Sequence, residues 1–341
     1  MRRSVIAPQL ESALRTTLQA PGLQLLELDG ERTAHDDEAQ PWVSVKYGPA
    51  GHDDWFGVVP AVAHFRRVPG VAAESLPLIV KTIPREGMET TFMPWIFERL
   101  GIVLDRPYRQ YRQAAEFGHT AGRELATFDW PVAEIDEVLR ALAAWQAVFW
   151  GAEENRLGWA GPKPTTADMA ADAPLWRAIV DHGRARLPHV VSETVWRRRL
   201  HLIDTIADWH AVKDTLPATL AHNDFNQRNV GFRKGVLALD WELALRDTAD
   251  RDLVEFLTFV LPPSVDRAQV DHHVETHRMA LAAAGVRSGI DRDTWLAGFR
   301  CELRVEALNR VGFQLVFGAL YPLAYAERVN ATIEHLLDLY G

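Results

Sequence analysis

The sequence predicts an α+β fold, with an antiparallel sheet in the first third of the chain and mainly helices in the rest. Before residue 130, strand-like runs of apolar residues are separated by turn residues such as Asp29-Gly30. These runs lie at 23–28, 42–47, 58–66 and 76–83. From Ala133 onward, apolar residues recur at helical spacing instead. A chain of 341 residues can form one large domain or two lobes, and it can bury a core in either case.

The composition is that of a folded soluble protein, with 48% hydrophobic and 24% charged residues. The formal net charge of -9 argues against a nucleic-acid partner, because such proteins normally present a basic surface. An acidic protein favours a cationic ligand, although acidity also serves solubility. Cys301 is the single cysteine, which excludes an intrachain disulfide and favours a cytoplasmic location. No apolar run long enough to span a membrane appears in the sequence. A signal peptide is not expected either, since the first residues contain few apolar side chains.

The N-terminal part predicts one helix followed by strands. The helix is expected over 4–20, and the next Pro-Gly pair ends it. Its apolar residues recur every four positions, at Ile6, Leu10, Leu14 and Leu18. After the four strand-like runs, residues 86–100 are compatible with a helix, and two more strands are predicted at 107–117 and 122–129.

The remaining sequence predicts helices separated by loops. The clearest helix covers 133–150, and its apolar face contains Val138, Leu142, Trp145 and Phe149. Further helices are predicted at 176–187 and 194–213, whereas 158–172 predicts a loop because it contains two prolines and few long apolar residues. The pattern is helical almost to the end of the chain after Asp252, with breaks at Pro262-Pro263, 285–289 and Pro322.

A group of polar residues lies between residues 220 and 252. The run Leu-Ala-His-Asn-Asp-Phe-Asn-Gln-Arg-Asn-Val contains His222, Asp224 and Asn229, and the run Val-Leu-Ala-Leu-Asp-Trp-Glu contains Asp240. Two carboxylates and a carboxamide on neighbouring turns suit phosphoryl transfer. One Asp orients and deprotonates a hydroxyl group, while the Asn and the second Asp hold magnesium on the phosphates of a nucleotide. The alternative is that these residues cap turns and end a strand, which are positions that Asp and Asn favour.

This spacing resembles the catalytic loop and metal-binding Asp of kinases. It is most similar to the aminoglycoside phosphotransferase and choline-kinase-like superfamily, whose members read His-Gly-Asp or His-Asn-Asp and then Ile-Asp-Trp/Phe-Glu. The run Asp-Thr-Ala-Asp-Arg-Asp-Leu-Val, which begins at Asp247, resembles that family's Gly-Asp-Pro…Asp-Leu-Ala segment, with Arg246 in place of the Gly and without the Pro. The run Leu-Ala-Ala-Trp-Gln-Ala-Val-Phe-Trp-Gly resembles the helix that opens the family's C-lobe, with Gln146 in place of the usual His.

The resemblance implies a bilobal protein-kinase-like fold, with an N-lobe of residues 1–129 and a C-lobe of residues 130–341. It implies that Lys81, in the strand Leu-Ile-Val-Lys-Thr-Ile, binds the nucleotide phosphates and pairs with a glutamate of the following helix. Glu98 has the better spacing for that pair, and Glu89 is the alternative. Lys81 could otherwise be the solvent-facing residue of an alternating strand.

In the C-lobe, the resemblance implies that Asp224 is the general base or hydroxyl-orienting group. His222 would hold the loop through its hydrogen bonds. Asn229 and Asp240 would bind Mg²⁺, so that Asn229 also contributes to nucleotide binding. The phosphoryl donor is ATP or GTP, and the sequence does not decide between them.

The function implied is transfer of the nucleotide γ-phosphoryl group to a hydroxyl group of a small molecule. Inactivation of an antibiotic of the aminoglycoside, peptide, macrolide or nucleoside type is the first expectation, because that activity is common in the superfamily. A metabolic kinase for choline, a sugar or another alcohol is the alternative, and a non-catalytic nucleotide-binding pseudokinase is the rival from another class. A protein substrate is not expected, since Asp247 follows Asp240 too closely for an activation loop. The oligomeric state is left open.

The acceptor pocket is expected to lie within 151–215 and 265–341. Four acidic residues there would either meet a cationic acceptor or be solvated helix charges: Asp266, Asp271, Glu302 and Glu306. His272, His273 and His277 form a cluster in which the last two have the i, i+4 spacing of a zinc pair. A polar helix face is the expected explanation, because neither a His-Glu-x-x-His arrangement nor a nearby cysteine is present.

Overall fold

The computed structural model describes residues 3–30, 57–82, 116–118, 128–152, 160–232, 235–312, 314–315 and 325–341. The described residues fall into two compact units, one containing those up to 118 and the other those from 128 onward. The predicted α+β class, with an antiparallel sheet first and mainly helices afterwards, is confirmed. Among the described helices, none is both long and apolar enough to cross a membrane.

The first unit is one helix and an antiparallel sheet. The elements are α1 (Arg3–Thr17), β1 (Gln24–Gly30), β2 (Gly57–Arg66), β3 (Glu74–Thr82) and β4 (Glu116–Gly118), with strand order β1-β2-β3-β4. Leu10 and Leu14 of α1 pack with Leu28 of β1 and Phe65 of β2 in a small core. The backbone N–H of Leu25 also donates to Glu11 Oε2 at 2.8 Å, which joins β1 to α1.

The predicted strands at 23–28, 58–66 and 76–83 correspond to β1, β2 and β3. The last two residues of the strand predicted at 122–129 do not form one, since Asp129 has a left-handed φ of 57°. The predictions at 42–47, 86–100 and 107–115 lie outside the described residues.

The second unit is mainly helical. Its helices are α2 (Val132–Val148), α3 (Thr166–Ala171), α4 (Ala173–Arg186), α5 (Glu193–Asp204), α6 (Ile206–Thr215), α7 (Asp250–Val260), α8 (Arg267–Ala283), α9 (Arg292–Val305) and α10 (Ala326–Tyr340). A π-helix, Glu306–Val311, continues α9. Two short antiparallel pairs complete the unit: β5 (Thr219–Ala221) with β8 (Leu245–Asp247), and β6 (Val230–Phe232) with β7 (Val236–Ala238).

Two sequence predictions in this unit were wrong in detail. The segment 158–172 was predicted as a loop, but its last part forms α3, because Thr165 and Asp168 make a capping box at the start of that helix. The helix predicted over 194–213 is broken at Thr205 into α5 and α6. Thr205 leaves helical geometry at φ -114°, and its hydroxyl donates to the His201 carbonyl at 2.8 Å.

Helix α7 is the centre of the hydrophobic core. All of its residues are buried. Its apolar side chains pack in one cluster with side chains of α2, α9 and α10, including Leu142, Phe299 and Ile333. Burial of these side chains supplies the main driving force for assembling the unit, at roughly 1.5–3 kcal/mol for each large one.

Charged side chains also lie in this interior. Lys213 is 1% exposed, and its Nζ lies 2.8 Å from Asp247 Oδ1 and 2.5 Å from Glu302 Oε1. These contacts join α6, β8 and α9. Burial lowers the pKa of Lys213, but Asp247 and Glu302 raise it more, so that the ammonium stays charged.

The four acidic residues expected to be acceptor contacts or solvated helix charges fall into two groups, because Asp266 is exposed and Asp271 partly exposed, whereas Glu302 and Glu306 are not. Glu302 and Glu306 are completely buried and ion-paired, so they are neither solvated nor exposed. Asp266 caps α8 by accepting the Gln269 N–H at 2.8 Å. The carboxylate of Asp271 accepts the hydroxyl of Tyr340 at 2.7 Å.

The histidine cluster of α8 is not a polar surface. His273 and His277 are completely buried, which makes the prediction of a polar face wrong for both. Their rings contact different residues of α2: His273 Nδ1 lies 2.9 Å from Asp136 Oδ1, and His277 Nε2 lies 2.9 Å from Gln146 Oε1. His272 contacts the other oxygen of Asp136, also at 2.9 Å. These hydrogen bonds hold α8 against α2.

We predict that Lys213→Ala lowers the free energy of unfolding by about 3–5 kcal/mol, because two buried carboxylates lose their cation. Urea or thermal unfolding measures the change. Arg177→Ala is the control, since its pair with Asp204 is exposed on both sides and should contribute no more than about 1 kcal/mol. Equal effects for the two variants would contradict a structural role of the Lys213 pair.

Candidate active site

Asn229 and Asp240 lie at the same end of the β6–β7 hairpin. Val230 of β6 pairs with Ala238 of β7, and the next backbone bond runs from the Leu239 N–H to the Asn229 carbonyl at 2.8 Å. Asn229 therefore enters the hairpin where Asp240 leaves it. The chain then turns sharply at Asp240, which has a left-handed φ of 67°. Such strained backbone in Asp or Asn is concentrated at functional sites.

The carboxylate of Asp224 is held on both of its oxygens. Asn229 Nδ2 donates to Oδ2 at 2.9 Å, and Asn226 Nδ2 donates to Oδ1 at 2.9 Å. The guanidinium of Arg310 also donates to Oδ1. The Asp224 side chain is 20% exposed, so a ligand can still reach it. These contacts fix one orientation of the carboxylate.

Arg310 reaches this carboxylate from the π-helix. Its Nε and Nη2 donate to Glu255 Oε1 at 3.1 and 2.8 Å, and Nη2 also donates to the Asn223 carbonyl at 3.1 Å. Burial lowers the pKa of Arg310, but Glu255 and Asp224 raise it more, which keeps the guanidinium charged. A π-helix is rare, and in other proteins it often lies at a functional site.

His222 ties the loop to the hairpin. Its ring is buried, and Nε2 donates to the Leu239 carbonyl at 2.7 Å, one residue before Asp240. The ring centroid lies 4.6 Å from that of Trp241 and 5.8 Å from that of Phe225. The side chain thus joins the segment before Asp224 to the segment before Asp240.

Asp252 holds the backbone of the loop. Its carboxylate is completely buried and accepts the N–H groups of His222 and Asn223 at 2.8 and 2.9 Å. Burial raises the pKa of Asp252 to about 6, against the opposing effect of His222 and these amides. Asn223 adopts a left-handed φ of 60°, and the bonds to Asp252 offset the strain of that conformation.

Gln146, where the related helix usually has His, supports Asp252 from behind. Its Nε2 lies 3.4 Å from Asp252 Oδ2 and 3.2 Å from the Ala249 carbonyl. Its Oε1 accepts from His277, whose pKa is lowered to about 3 by burial. An amide can donate on one side and accept on the other, so Gln146 connects a neutral His277 to the carboxylate that holds the loop.

The oxygens of Asn229 and Asp240 are of the kind that binds magnesium. Both hydrogens of Asn229 Nδ2 are used on Asp224, at 2.8 Å to its carbonyl and 2.9 Å to Oδ2. In the described part of the chain, Asn229 Oδ1 accepts no hydrogen bond. It is a hard carbonyl oxygen at the same hairpin end as the Asp240 carboxylate, and Mg²⁺ prefers such ligands. The residues therefore fit the metal that the family resemblance implies.

Of the other two predicted residues, Lys81 belongs to the first unit and Glu98 lies outside the described residues. Lys81 is on β3, where its backbone lies opposite Val58 of β2 and Glu116 of β4. Glu98, like its alternative Glu89, lies outside the described residues. The pairing of Lys81 with a glutamate stays a prediction.

The sequence interpretation missed several residues that touch the loop. Arg251 Nε donates to Asn223 Oδ1 at 2.9 Å, and its Nη groups reach Glu255 and Glu306. The i, i+4 spacing of Arg251 and Glu255 is a signal for such a pair. Arg310 lies 86 residues from Asp224 in sequence, so local pattern could not have indicated their contact.

Comparisons with known proteins gave matches among solved structures but none among family models or curated sequences. No protein-family model matches the chain, and no curated protein sequence matches it. Among solved structures it is similar to the choline kinase of Streptococcus pneumoniae, with 10% identity, 98% of this chain and 99% of that chain covered, and a TM-score of 0.45.

Two further solved structures show the same likeness. A choline kinase from Cryptosporidium parvum has 9% identity, with 97% of this chain and 94% of that chain covered and a TM-score of 0.48. The macrolide 2'-phosphotransferase of Brachybacterium faecium has 14% identity, with 93% and 99% covered and a TM-score of 0.43. By their names, two of these three proteins are choline kinases and the third is a macrolide 2'-phosphotransferase.

We predict that stability falls between pH 7 and pH 4.5 partly through His277. Its pKa is 6.5 in the unfolded chain and about 3 in the folded protein, so the unfolded state takes up a proton first as the pH is lowered. The stability supplied by neutral His277 is present above pH 6.5 and is lost as the pH falls toward 3.

His277→Gln keeps a donor for Gln146 and removes this titration, so its loss of unfolding free energy over the same interval should be smaller by about 2 kcal/mol. Urea unfolding at the two pH values measures it. His201→Gln, at the exposed end of α5, controls for the substitution. Parallel pH dependence of His277→Gln and the unsubstituted protein would refute the role of His277.

Proposed function

We propose that the protein is a small-molecule O-phosphotransferase, which transfers the γ-phosphoryl group of ATP or GTP to a hydroxyl group of its acceptor. One observation carries the proposal: the Asp224 carboxylate is oriented by Asn229, whose remaining oxygen lies at the same hairpin end as Asp240. A base is thereby linked to two magnesium ligands, as phosphoryl transfer requires. In the same proposal, residues 1–129 are the nucleotide-binding lobe and residues 130–341 carry the base, the metal ligands and the acceptor pocket.

In the proposed reaction, Asp224 accepts a hydrogen bond from the acceptor hydroxyl and aligns its oxygen with the γ-phosphorus. The bond from that oxygen to phosphorus forms as the bond from phosphorus to the β–γ bridging oxygen breaks, and the nucleoside diphosphate leaves. The hydroxyl proton passes to Asp224 and then to solvent. Most of the catalysis asked of the chain is alignment and stabilisation of charge.

The other residues prepare this arrangement. Asn229 and Asp240 would hold Mg²⁺, which neutralises charge on the phosphates when it is bound. Lys81 would bind the phosphates, with Glu98 as its partner. His222 and Asp252 hold the loop that bears Asp224 through the hydrogen bonds to Leu239, His222 and Asn223.

An antibiotic is the first candidate acceptor, as the family resemblance implies, and a metabolic alcohol is the alternative. The interior ion pairs bear on this choice. Glu302 and Glu306 form buried ion pairs with Lys213 and Arg251, so neither is available to bind a cationic acceptor. Acidic composition therefore does not identify the acceptor.

We predict that Asp224→Ala lowers turnover by roughly 10²–10⁴-fold, the contribution of a positioned general base, and leaves binding of magnesium nucleotide intact. A coupled assay with Mg²⁺ and ATP or GTP, run over antibiotics and small alcohols, measures turnover. Asp208→Ala, at an exposed position of α6, is the control. Turnover that survives in Asp224→Ala would reject the assignment, and nucleotide binding without turnover would favour the pseudokinase.

We also predict that Asn229→Ala and Asp240→Asn each raise the Mg²⁺ concentration needed for half-maximal nucleotide binding, by roughly 10-fold or more. Thermal stabilisation by nucleotide at a series of Mg²⁺ concentrations measures this shift. Asp208→Asn should leave it unchanged. A Mg²⁺ requirement that is the same in all variants would show that the metal lies elsewhere.

A further inference from the structure

We propose that the acceptor carries an anionic group, a carboxylate or a phosphate, close to the hydroxyl that is phosphorylated, and that Arg228 and Arg310 bind this group. The inference rests on the proposed phosphotransfer at Asp224 and specifies the acceptor for that reaction. It replaces the cationic acceptor that the net charge suggests.

Both guanidinium groups are connected to Asp224, Arg310 directly and Arg228 through Asn226. Arg310 donates to Asp224 Oδ1 directly. Arg228 is connected to the same atom through Asn226: its Nε donates to Asn226 Oδ1 at 3.0 Å, and Asn226 Nδ2 donates to Asp224 Oδ1 at 2.9 Å. The two arginines thus share one oxygen of the base as their common neighbour.

Arg228 is exposed, yet it is held in place by aromatic rings. Its guanidinium carbon lies 4.9 Å from the ring centroid of Tyr325 and 5.7 Å from that of Phe259. Cation–π contacts of this kind stabilise one position of the side chain. A guanidinium that is already ordered loses less entropy when it binds an anion than a free surface arginine does.

Both groups keep donors that no described residue uses. The bonds of Arg310 involve Nε and Nη2, its Nη1 donates none to the described part of the chain, and the side chain as a whole is 19% exposed. On Arg228, Nη1 has only a 3.5 Å contact with the Tyr325 hydroxyl, and Nη2 has no partner among the described residues. Guanidinium N–H pairs of this kind match carboxylate and phosphate oxygens.

The charges around the base also favour an anion. Glu255 and Glu306 are completely buried and paired with Arg251 and Arg310, so among the described residues that contact Asp224 the charge that remains partly exposed is that of Arg310, with Arg228 connected through Asn226. An ammonium on the acceptor would be repelled, whereas an anion would be stabilised.

The position relative to Asn229 indicates the acceptor rather than the nucleotide as the partner. Asn229, the candidate metal ligand, donates to Oδ2 of Asp224, whereas Arg310 and Asn226 donate to Oδ1. Arg310 therefore binds the carboxylate oxygen that does not accept from the metal ligand, and Arg228 is connected to that same oxygen through Asn226. A contact to the γ-phosphate is the competing role, and the experiment separates the two.

The first measurement needs no acceptor. Inorganic sulfate is titrated by calorimetry into the protein saturated with Mg²⁺ and a non-hydrolysable nucleotide. We expect Arg228→Gln to weaken sulfate binding by roughly 10-fold or more, the loss of a charge-assisted hydrogen bond. Arg310→Lys should weaken it less than Arg310→Gln, and Arg177→Gln, whose pair with Asp204 lies on exposed α4 and α5 positions, should not change it. Equal sulfate binding in Arg228→Gln and the unsubstituted protein would overturn the inference.

The second measurement compares acceptors that differ in one group, such as glycolate, ethylene glycol and ethanolamine, or glucuronate, glucose and glucosamine. The anionic member should have the highest kcat/KM, and Arg228→Gln should raise its KM about 10-fold with little change in kcat. A preference for the amine, or a rise in the KM for nucleotide instead, overturns the inference while phosphotransfer stands. If no compound is phosphorylated by the unsubstituted protein, the proposed function is what fails, and sulfate binding alone decides the role of the arginines.

Discussion

Charges buried between α7 and the segment formed by α9 and the π-helix are stable only in pairs, and the candidate catalytic loop depends on that constraint. Along α9 and the π-helix, Glu302, Glu306 and Arg310 follow one another every four residues. Their partners are Lys213 and Thr248, then Arg251, then Glu255. The last member, Arg310, also binds Asp224, so the row of pairs ends at the candidate base. The same side chain, Arg310, therefore contacts a buried residue of the core and holds the candidate base.

Pairing of this kind specifies position more than it adds stability. Removing a charge from water costs several kcal/mol, and its partner does little more than offset that cost. A displaced loop would, however, leave buried Asp252 without the N–H groups of His222 and Asn223 and take Asp224 away from Arg310, which is much worse. The same logic explains Gln146 and His277. Burial keeps His277 neutral, and a neutral ring can satisfy the Gln146 amide without adding a charge behind Asp252. The loop thus keeps its position because moving it would leave buried polar groups without hydrogen-bond partners.

Local sequence patterns predicted the strands, the helix and the turns whose geometry depends on neighbouring residues in the chain. Periodicity located β1, β2, β3 and α2, and the spacing of Asp224, Asn229 and Asp240 indicated neighbouring turns because a short hairpin fixes their separation. Burial of charged residues was not predictable in this way. Glu302 and His273 have surroundings set by Lys213 and Asp136, which lie far away in sequence. The capping box that starts α3 and the i, i+4 pair in α7 were local signals that the sequence interpretation did not use.

The row of pairs also explains why an anionic acceptor suits this base. Each charged group along the row has a partner, and the partner of Arg310 at the end of the row is Asp224, which would take up the hydroxyl proton in the proposed reaction. Arg310 would then keep Glu255 but not Asp224 as an anionic partner, while Arg228 is held against the Tyr325 ring. Water can compensate an exposed guanidinium, but an acceptor that fills the site excludes water. In the proposed reaction, a carboxylate or phosphate of the acceptor next to the hydroxyl would replace that negative charge.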